Sequence, residues 1–217
     1  MKDETIAIHG GYTTDPTTHA VTAPIYQTVA YEFDDAQHGA DLFDLAVPGN
    51  IYSRIMNPTC DVLEQRVAAL EGGVGAVCCS SGHAAQIMAL FPLMSPGCNV
   101  IASTRLYGGT VTQFSQTIKR FGWSAKFVDF DDLDALKNAI DENTRAVFCE
   151  AIANPGGYIT DLQAISSVSD KAGLPLIVDN TTATPYLCRP IEYLSLIHIS
   201  EPTRLLSISY AVFCLKK

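Results

Sequence analysis

The chain has little positive charge. Its 217 residues include 14 Lys and Arg against 23 Asp and Glu, which gives a formal net charge of −9. Nucleic-acid binding usually needs a basic face, so this balance argues against nucleic acid and against anionic membrane surfaces. No apolar run is long enough to cross a bilayer, and the opening residues MKDETIAIHGG lack the apolar h-region of a signal peptide. We therefore expect a cytoplasmic protein without a nucleic-acid or membrane partner.

The chain also lacks the residue spacings of metal sites. None of its seven cysteines forms a CxxC pair or a zinc spacing, and its five histidines are scattered. Cys78, Cys79 and Cys149 lie inside apolar runs, where cysteine behaves as a small buried hydrophobe. We expect reduced thiols in the core and no metal site.

Two further absences concern catalytic and nucleotide-binding motifs. No lysine occurs between Asp179 and Lys216. No G-x-G-x-x-G follows the first predicted strand, which argues against a dinucleotide-binding domain. Asp179 itself closes an apolar run at 174–178 that predicts a buried parallel strand. A carboxylate at the end of such a strand lies where open α/β sheets bind ligands.

What the chain does contain is a regular alternation of strand and helix patterns. Residues 1 to about 50 show little periodicity and are typical of an extended arm. A helix is predicted from Asn57-Pro58 to Gly72-Gly73. Strands are then predicted at 74–79, 98–102, 123–128, 146–150 and 174–178, and helices at 82–94, 110–121, 133–140 and 162–172. This order predicts an α/β domain with a mostly parallel sheet flanked by helices on both faces.

The last part of the chain departs from this pattern. Residues 194–204 (LSLIHISEPTR) resemble a translated sequencing adapter, and residues 208–217 (ISYAVFCLKK) resemble the distal adapter followed by an A-rich run. The three residues between them match the space of an index sequence. We therefore interpret residues 194–217 as a non-native tail and leave them out of the predicted domain. The alternative is a natural apolar helix interrupted by proline.

Polar and aromatic groups follow the predicted strands. Ser81, Gly82 and His83 lie at a strand-to-helix turn, where backbone N–H groups and the positive helix end can bind an anion. An ordinary capped turn is the alternative. Tyr107 follows the next strand and is flanked by Gly108, so its ring could serve as a stacking platform or could simply be packed.

Two later strands end in the same way. Glu150 ends one strand, Asn154 follows it in a loop, and Asp179 ends the last predicted strand. The carboxyl ends of parallel strands meet at one edge of a sheet, so these groups should converge there. A pyridine cofactor with a phosphate tail would fit them: phosphate on the helix N-terminus, ring on Tyr107, and ring nitrogen held protonated by Asp179.

Several motifs together resemble a known enzyme family. These are YSRIMNPT at 52–59, SGHAA at 81–85, LYGGT at 106–110, Asn154-Pro155, and DNT at 179–181. They closely resemble the Cys/Met-metabolism (transsulfuration) branch of fold-type I pyridoxal-phosphate enzymes, over about residues 4 to 193. The resemblance implies a truncated fold-type I large domain at 56–193. It also implies that 1–55 is an extended N-terminal arm that contributes to the neighbouring subunit's site.

The resemblance assigns roles at both ends of the cofactor, pyridoxal 5′-phosphate. Tyr52 and Arg54 would reach the phosphate bound by the neighbouring subunit, where the planar arginine fork suits phosphate oxygens. Gly82 and His83 would bind phosphate through backbone N–H groups, although the family often has methionine in place of His83. Tyr107 would stack on the ring and assist proton transfer.

The remaining roles concern the ring. Asn154 would contact its 3′-oxygen, and Asp179 would pair with the pyridinium nitrogen, with Thr181 nearby. Ser81 and Glu150 complete the expected set of cofactor-binding residues. The family would place its Schiff-base lysine near position 204, where Arg204 stands. Arginine stays protonated and cannot form that bond, so we expect the chain as given to be inactive.

The resemblance also implies a function for the parent protein. We expect an enzyme that replaces the acetate of O-acetylhomoserine with sulfide or a thiol, working on a small amino-acid substrate as a homodimer or homotetramer with shared active sites. A cystathionine γ-synthase, cystathionine γ-lyase or methionine γ-lyase of the same family is the first alternative. A non-catalytic α/β module that binds a phosphate ligand is the second.

Overall fold

The computed structural model describes residues 2–193, 197–200 and 211–215. The chain divides into two compact units, Met1–Arg66 and Val67–Lys217. The first unit contains helices α1 (Asp3–His9) and α2 (Ala36–Phe43) and the first part of α3 (Pro58–Glu71). The sequence pattern predicts α3 but indicates an extended arm where α1 and α2 lie. Both are short, and α2 is fixed locally because the Asp35 side chain accepts a hydrogen bond from the backbone N–H of His38.

The second unit is built on a seven-stranded sheet whose order is β1-β7-β6-β5-β4-β2-β3. The strands are β1 (Gly75–Cys79), β2 (Asn99–Ser103), β3 (Ser124–Val128), β4 (Thr144–Glu150), β5 (Leu176–Asp179), β6 (Ile197–Ser200) and β7 (Ala211–Leu215). Strands β3, β2, β4, β5 and β6 are neighbours in that order, and each pair is parallel. β7 runs antiparallel to both of its neighbours, β6 and β1. The predicted, mostly parallel sheet is confirmed.

Helices connect these strands. They are α4 (Gly82–Leu90), α5 (Gly108–Thr112), α6 (Leu133–Ala139), α7 (Leu162–Lys171) and the short α8 (Thr184–Leu187). The helix predicted at 110–121 is less regular than expected: α5 continues as a π-helical turn and then as a 3₁₀ turn that ends at Gly122, whose φ is 75°. A left-handed residue favours glycine, so Gly122 is the helix stop.

The core lies on both faces of the sheet. Along β4, Val147 packs in one buried cluster with α6 and α7, whereas Phe148 packs in the other with α4. β5 repeats the alternation, since Ile177 joins Phe148 and Val178 joins Val147. Successive side chains of a strand point to opposite faces, so continuous apolar strands require helices on both sides. This is why the apolar runs in the sequence predicted the layers correctly.

Strands β6 and β7 lie within residues 194–217, which were expected to lie outside the domain. β6 pairs with β5 in parallel, and Ile199 is fully buried in the core. Neither strand is therefore among those predicted from the sequence. The rest of that segment, including Arg204, lies outside the described residues.

Two kinds of feature were searched for in the described part of the chain. No helix there is long and apolar enough to cross a membrane. Among the same residues, no group of three or more histidine, cysteine or acidic side chains is arranged to hold a metal ion.

Candidate active site

A cavity of about 230 Å³ lies at the carboxyl edge of the sheet in the second unit. It is lined by Gly82, His83, Gln86, Tyr107, Thr110, Glu150, Asn154, Asp179, Thr181 and Thr182. Seven of the ten site residues expected from the sequence are among them. The predicted convergence of strand ends therefore occurs, because β4 and β5 are parallel neighbours in the sheet and place Glu150 directly opposite Asp179.

One end of the cavity is formed by the first turn of α4. Ser81 is the N-cap of this helix, and its side-chain oxygen accepts a hydrogen bond from the N–H of Ala84 at 3.1 Å. Gly82 and His83 then begin the helix and line the cavity. The positive end of the helix dipole lies at this point, which favours an anion. Ser81 thus has a capping role here, and its hydroxyl oxygen is engaged by its own helix.

Tyr107 forms an aromatic wall of the cavity. Its ring stacks on the imidazole of His83, with centroids 6.1 Å apart and an angle of 30° between the planes. Half of the Tyr107 surface is exposed, so one part of the ring is held by His83 and another is accessible. A Cβ atom at Gly109 would lie 2.6 Å from Cε1 of Tyr107 and 2.7 Å from Cε1 of His83. Glycine is therefore required at 109 for this arrangement of the two rings.

Glu150 organises two loops around the cavity. Its Oε1 accepts a hydrogen bond from the backbone N–H of Tyr107 at 2.6 Å, and its Oε2 accepts one from the N–H of Asn154 at 2.9 Å. Burial raises the pKa of Glu150, the two N–H donors oppose that rise, and the nearby Asp179 adds to it. Glu150 thus holds the Tyr107 and Asn154 loops against the sheet edge, and both of its carboxylate oxygens are engaged there.

Asp179 is presented at the end of β5. Its Oδ1 accepts a hydrogen bond from the N–H of Thr181 at 3.0 Å, and its backbone carbonyl accepts one from Ala151. The carboxylate is thereby fixed at the wall of the cavity. A carboxylate held in this way favours a ligand that presents a cationic N–H group.

Three lining residues were not found from the sequence: Gln86, Thr110 and Thr182. Gln86 is 2% exposed and Thr110 is 1% exposed, and the Gln86 amide Nε2 donates to the Thr110 hydroxyl oxygen at 3.0 Å. The signal that could have found Gln86 is its position. It is the one amide side chain in a helix whose residues after His83 are otherwise apolar, and it lies one turn after Gly82.

The other two expected residues, Tyr52 and Arg54, belong to the first unit. The Arg54 guanidinium carbon lies 5.5 Å from the centroid of the Tyr52 ring, a cation–π distance. Both side chains are exposed. Their expected contact with a neighbouring subunit's cofactor stays a prediction.

The arrangement fits a phosphorylated pyridine on three observations. A helix of nine residues begins at the cavity, an accessible aromatic ring lines it, and a carboxylate is held by a neutral donor at its wall. In addition, His83 Nε2 is buried without a hydrogen-bonding partner in the described part of the chain. The donor set and the shape together suit an anion at one end and a cationic ring nitrogen at the other.

Comparison with known proteins gives a consistent result. A family model described as "Cys/Met metabolism PLP-dependent enzyme" matches residues 4–206. The O-acetyl-L-homoserine sulfhydrylase of Leptospira meyeri is 44% identical over 206 residues, which are 95% of this chain and 47% of that protein. O-acetyl-L-homoserine sulfhydrylase 1 of Thermus thermophilus is 47% identical over 195 residues, 89% of this chain and 46% of that protein. The chain spans about half the length of these curated relatives.

Solved structures agree on the fold. A Campylobacter jejuni protein described as an O-acetylhomoserine (thiol)-lyase superposes with a TM-score of 0.93 at 40% identity, covering 100% of this chain and 55% of that one. Its crystal structure contains N′-pyridoxyl-lysine-5′-monophosphate. The cystathionine γ-lyase of Lactobacillus plantarum superposes with a TM-score of 0.89 at 32% identity, covering 100% and 55% of the two chains.

Proposed function

The chain belongs to the Cys/Met metabolism family of PLP-dependent enzymes, and we propose that the whole protein exchanges the acetate of O-acetylhomoserine for sulfide or a thiol. The observation that carries the proposal is the cavity in which Tyr107, Asn154 and Asp179 meet the first turn of α4. The names of the sulfhydrylase relatives point to the same reaction. The reaction with sulfide would give homocysteine, and the reaction with methanethiol would give methionine; both would release acetate.

Different residues of this chain would bind different parts of pyridoxal 5′-phosphate. Gly82 and His83 would bind the phosphate through the start of α4, since that end of the helix attracts anions. Tyr107 would stack against the ring and assist proton transfer. Asn154 would contact the ring's 3′-oxygen, and Asp179 would pair with the ring nitrogen. Bound in this way, the cofactor supplies an electron sink, because a protonated ring nitrogen withdraws charge from the substrate.

The other expected residues support these contacts. Glu150 holds the Tyr107 and Asn154 loops through the two hydrogen bonds described above, and Ser81 caps the helix that receives the phosphate. Thr181 fixes the Asp179 carboxylate through its backbone N–H. Tyr52 and Arg54 would bind the phosphate in a neighbouring subunit, so the protein would work as a homodimer or homotetramer. We place the whole protein in the cytoplasm.

The reaction is tested by assaying the whole protein with three substrates. We expect O-acetylhomoserine with sulfide or methanethiol to give homocysteine or methionine and free acetate. Cystathionine and methionine should be turned over far more slowly. Preferred cleavage of cystathionine or methionine would instead assign a γ-lyase, whose fold the Lactobacillus plantarum γ-lyase shows to be similar to this one. Preferred condensation of cysteine with an acylated homoserine would assign a γ-synthase.

A non-catalytic ligand-binding module is the remaining candidate, and one observation favours it: no lysine occurs between Asp179 and Lys216. We propose that residues 194–217 are not native and that the native frame continues into a Ser/Thr-x-Lys near position 204. Resequencing the gene across the codon for Tyr193 tests this. Finding the same 24 codons in independent DNA would overturn the proposal and favour the binding module.

A further inference from the structure

A buried amide chain runs from α4 to the carboxylate of Asp179. Gln113 donates from its amide Nε2 to the backbone carbonyl of His83 at 3.1 Å and to Gln86 Oε1 at 3.0 Å. Gln86 Nε2 donates to the Thr110 hydroxyl oxygen at 3.0 Å and lies 3.5 Å from Asp179 Oδ2. Gln86 and Gln113 are 2% and 9% exposed, so solvent does not compete for these groups.

The direction of each hydrogen bond in this network is fixed by chemistry. A backbone carbonyl can only accept hydrogen bonds, so the Gln113 atom that faces His83 O must be the amide nitrogen. Its second N–H then points to Gln86, which must accept this hydrogen bond with its side-chain carbonyl oxygen. The Gln86 amide nitrogen is thereby turned to Thr110 and Asp179. The His83 backbone therefore determines that Asp179 Oδ2 faces a donor and not an acceptor.

We propose that Gln113 and Gln86 form an amide relay that positions the Asp179 carboxylate and so sets the preference of the cavity for a cationic ring nitrogen. The inference rests on the proposed function, since it names the residues behind the ring contact. Thr181 N–H holds Oδ1 and the relay holds Oδ2, so both oxygens have neutral donors. Two neutral donors orient the carboxylate and bring no positive charge to it.

The relay also links both ends of the ligand site. Its anchor is the carbonyl of His83, in the helix turn assigned to the phosphate, and its last donor reaches the group assigned to the ring. Tyr107 is the N-cap of α5, and Thr110 lies within that helix. The helix that carries the Tyr107 ring is therefore connected to the same network. Gln86 and Gln113 are accordingly positioning residues that act through Asp179.

The test compares two ligands on the full chain by equilibrium dialysis. Pyridoxamine 5′-phosphate carries the ring nitrogen and forms no Schiff base with lysine, and its 1-deaza analogue has carbon in place of that nitrogen. Gln86→Met keeps the size of the side chain and removes the donor. We expect Gln86→Met to lower the affinity for pyridoxamine 5′-phosphate about tenfold and to leave the affinity for the deaza analogue within about twofold. Gln113→Met should change the ratio in the same direction.

The control is Gln163→Met on the exposed side of α7, which should change neither affinity. Equal losses for both ligands in Gln86→Met would assign Gln86 a packing role only and overturn the inference. An unchanged ratio would overturn it as well. If the wild-type chain binds neither ligand, the proposed cofactor site is wrong. The relay is then tested by a second measurement that needs no ligand.

That second measurement is NMR hydrogen exchange of the side-chain amides. We expect the Gln86 amide protons to exchange at least about tenfold more slowly than those of Gln163, because they are buried and bonded. They should lose that protection in Gln113→Met. Gln86 protons that exchange as fast as those of Gln163, or protection that survives Gln113→Met, would overturn the relay.

Discussion

Glu71, the last residue of α3, is the carboxylate that should make the stability of this chain depend most clearly on pH. Its side chain is 0% exposed. Burial raises the pKa of Glu71 from 4.5 to about 8, although a hydrogen bond with Asn180 and the positive charge of Arg189 oppose the rise. Glu71 is therefore protonated in the folded chain at neutral pH and ionised in the unfolded chain.

The sign of the effect follows from proton counts. Between pH 4.5 and about 8 the folded chain holds one proton at Glu71 that the unfolded chain has released. The free energy of unfolding therefore falls as pH rises through this window, by about 1.4 kcal/mol per pH unit. From about pH 5 to about pH 7.5 the loss amounts to about 3 kcal/mol. Glu71→Gln keeps the shape of the protonated side chain and should remove this loss.

The assay is urea unfolding followed by the fluorescence of Trp123, the only tryptophan, which is 4% exposed. The difference in stability between Glu71→Gln and wild type should grow by about 3 kcal/mol from about pH 5 to about pH 7.5. Glu142→Gln, a change at an exposed carboxylate, serves as the control and should follow wild type. A difference that stays within about 0.5 kcal/mol across this range, well below the linkage value, would refute the reasoning.

Three further changes have expected outcomes. Gly109→Ala places a Cβ 2.6 Å from Cε1 of Tyr107 and should destabilise the fold by about 1–3 kcal/mol in urea unfolding, whereas Gly108→Ala, where nothing lies within 4 Å, should be nearly neutral. Glu150→Ala leaves two partly buried N–H groups without their acceptor and should cost about 2 kcal/mol in the same assay; a loss under about 0.5 kcal/mol would contradict its role. Asp132→Ala removes the cap of α6 and should cost about 1 kcal/mol by thermal unfolding.

The sequence was sufficient to predict the layers and most of the cavity wall. Apolar runs indicated the strands, and the rule that parallel strands share their carboxyl edge placed Glu150 beside Asp179. Both inferences depend on local pattern and on one topological rule. Tyr107, which follows another strand, lines the cavity at the same edge.

The contacts that were not predicted depend on pairing at long range. Gln86 contacts Gln113 and Asp179 across 27 and 93 residues of sequence, and its position in α4 does not indicate which residues those partners are. The helix α2 depends on a single cap at Asp35 rather than on a long periodic pattern. β6 and β7 lie in a segment whose letters were interpreted as an adapter.

A crystal structure of the chain grown with pyridoxamine 5′-phosphate would show directly whether this cavity is the cofactor site. We expect the pyridine ring against Tyr107, its nitrogen within hydrogen-bonding distance of the Asp179 carboxylate, and the phosphate at the first turn of α4. Ligand bound elsewhere, or a ring whose nitrogen points away from Asp179, would rule out the proposed site.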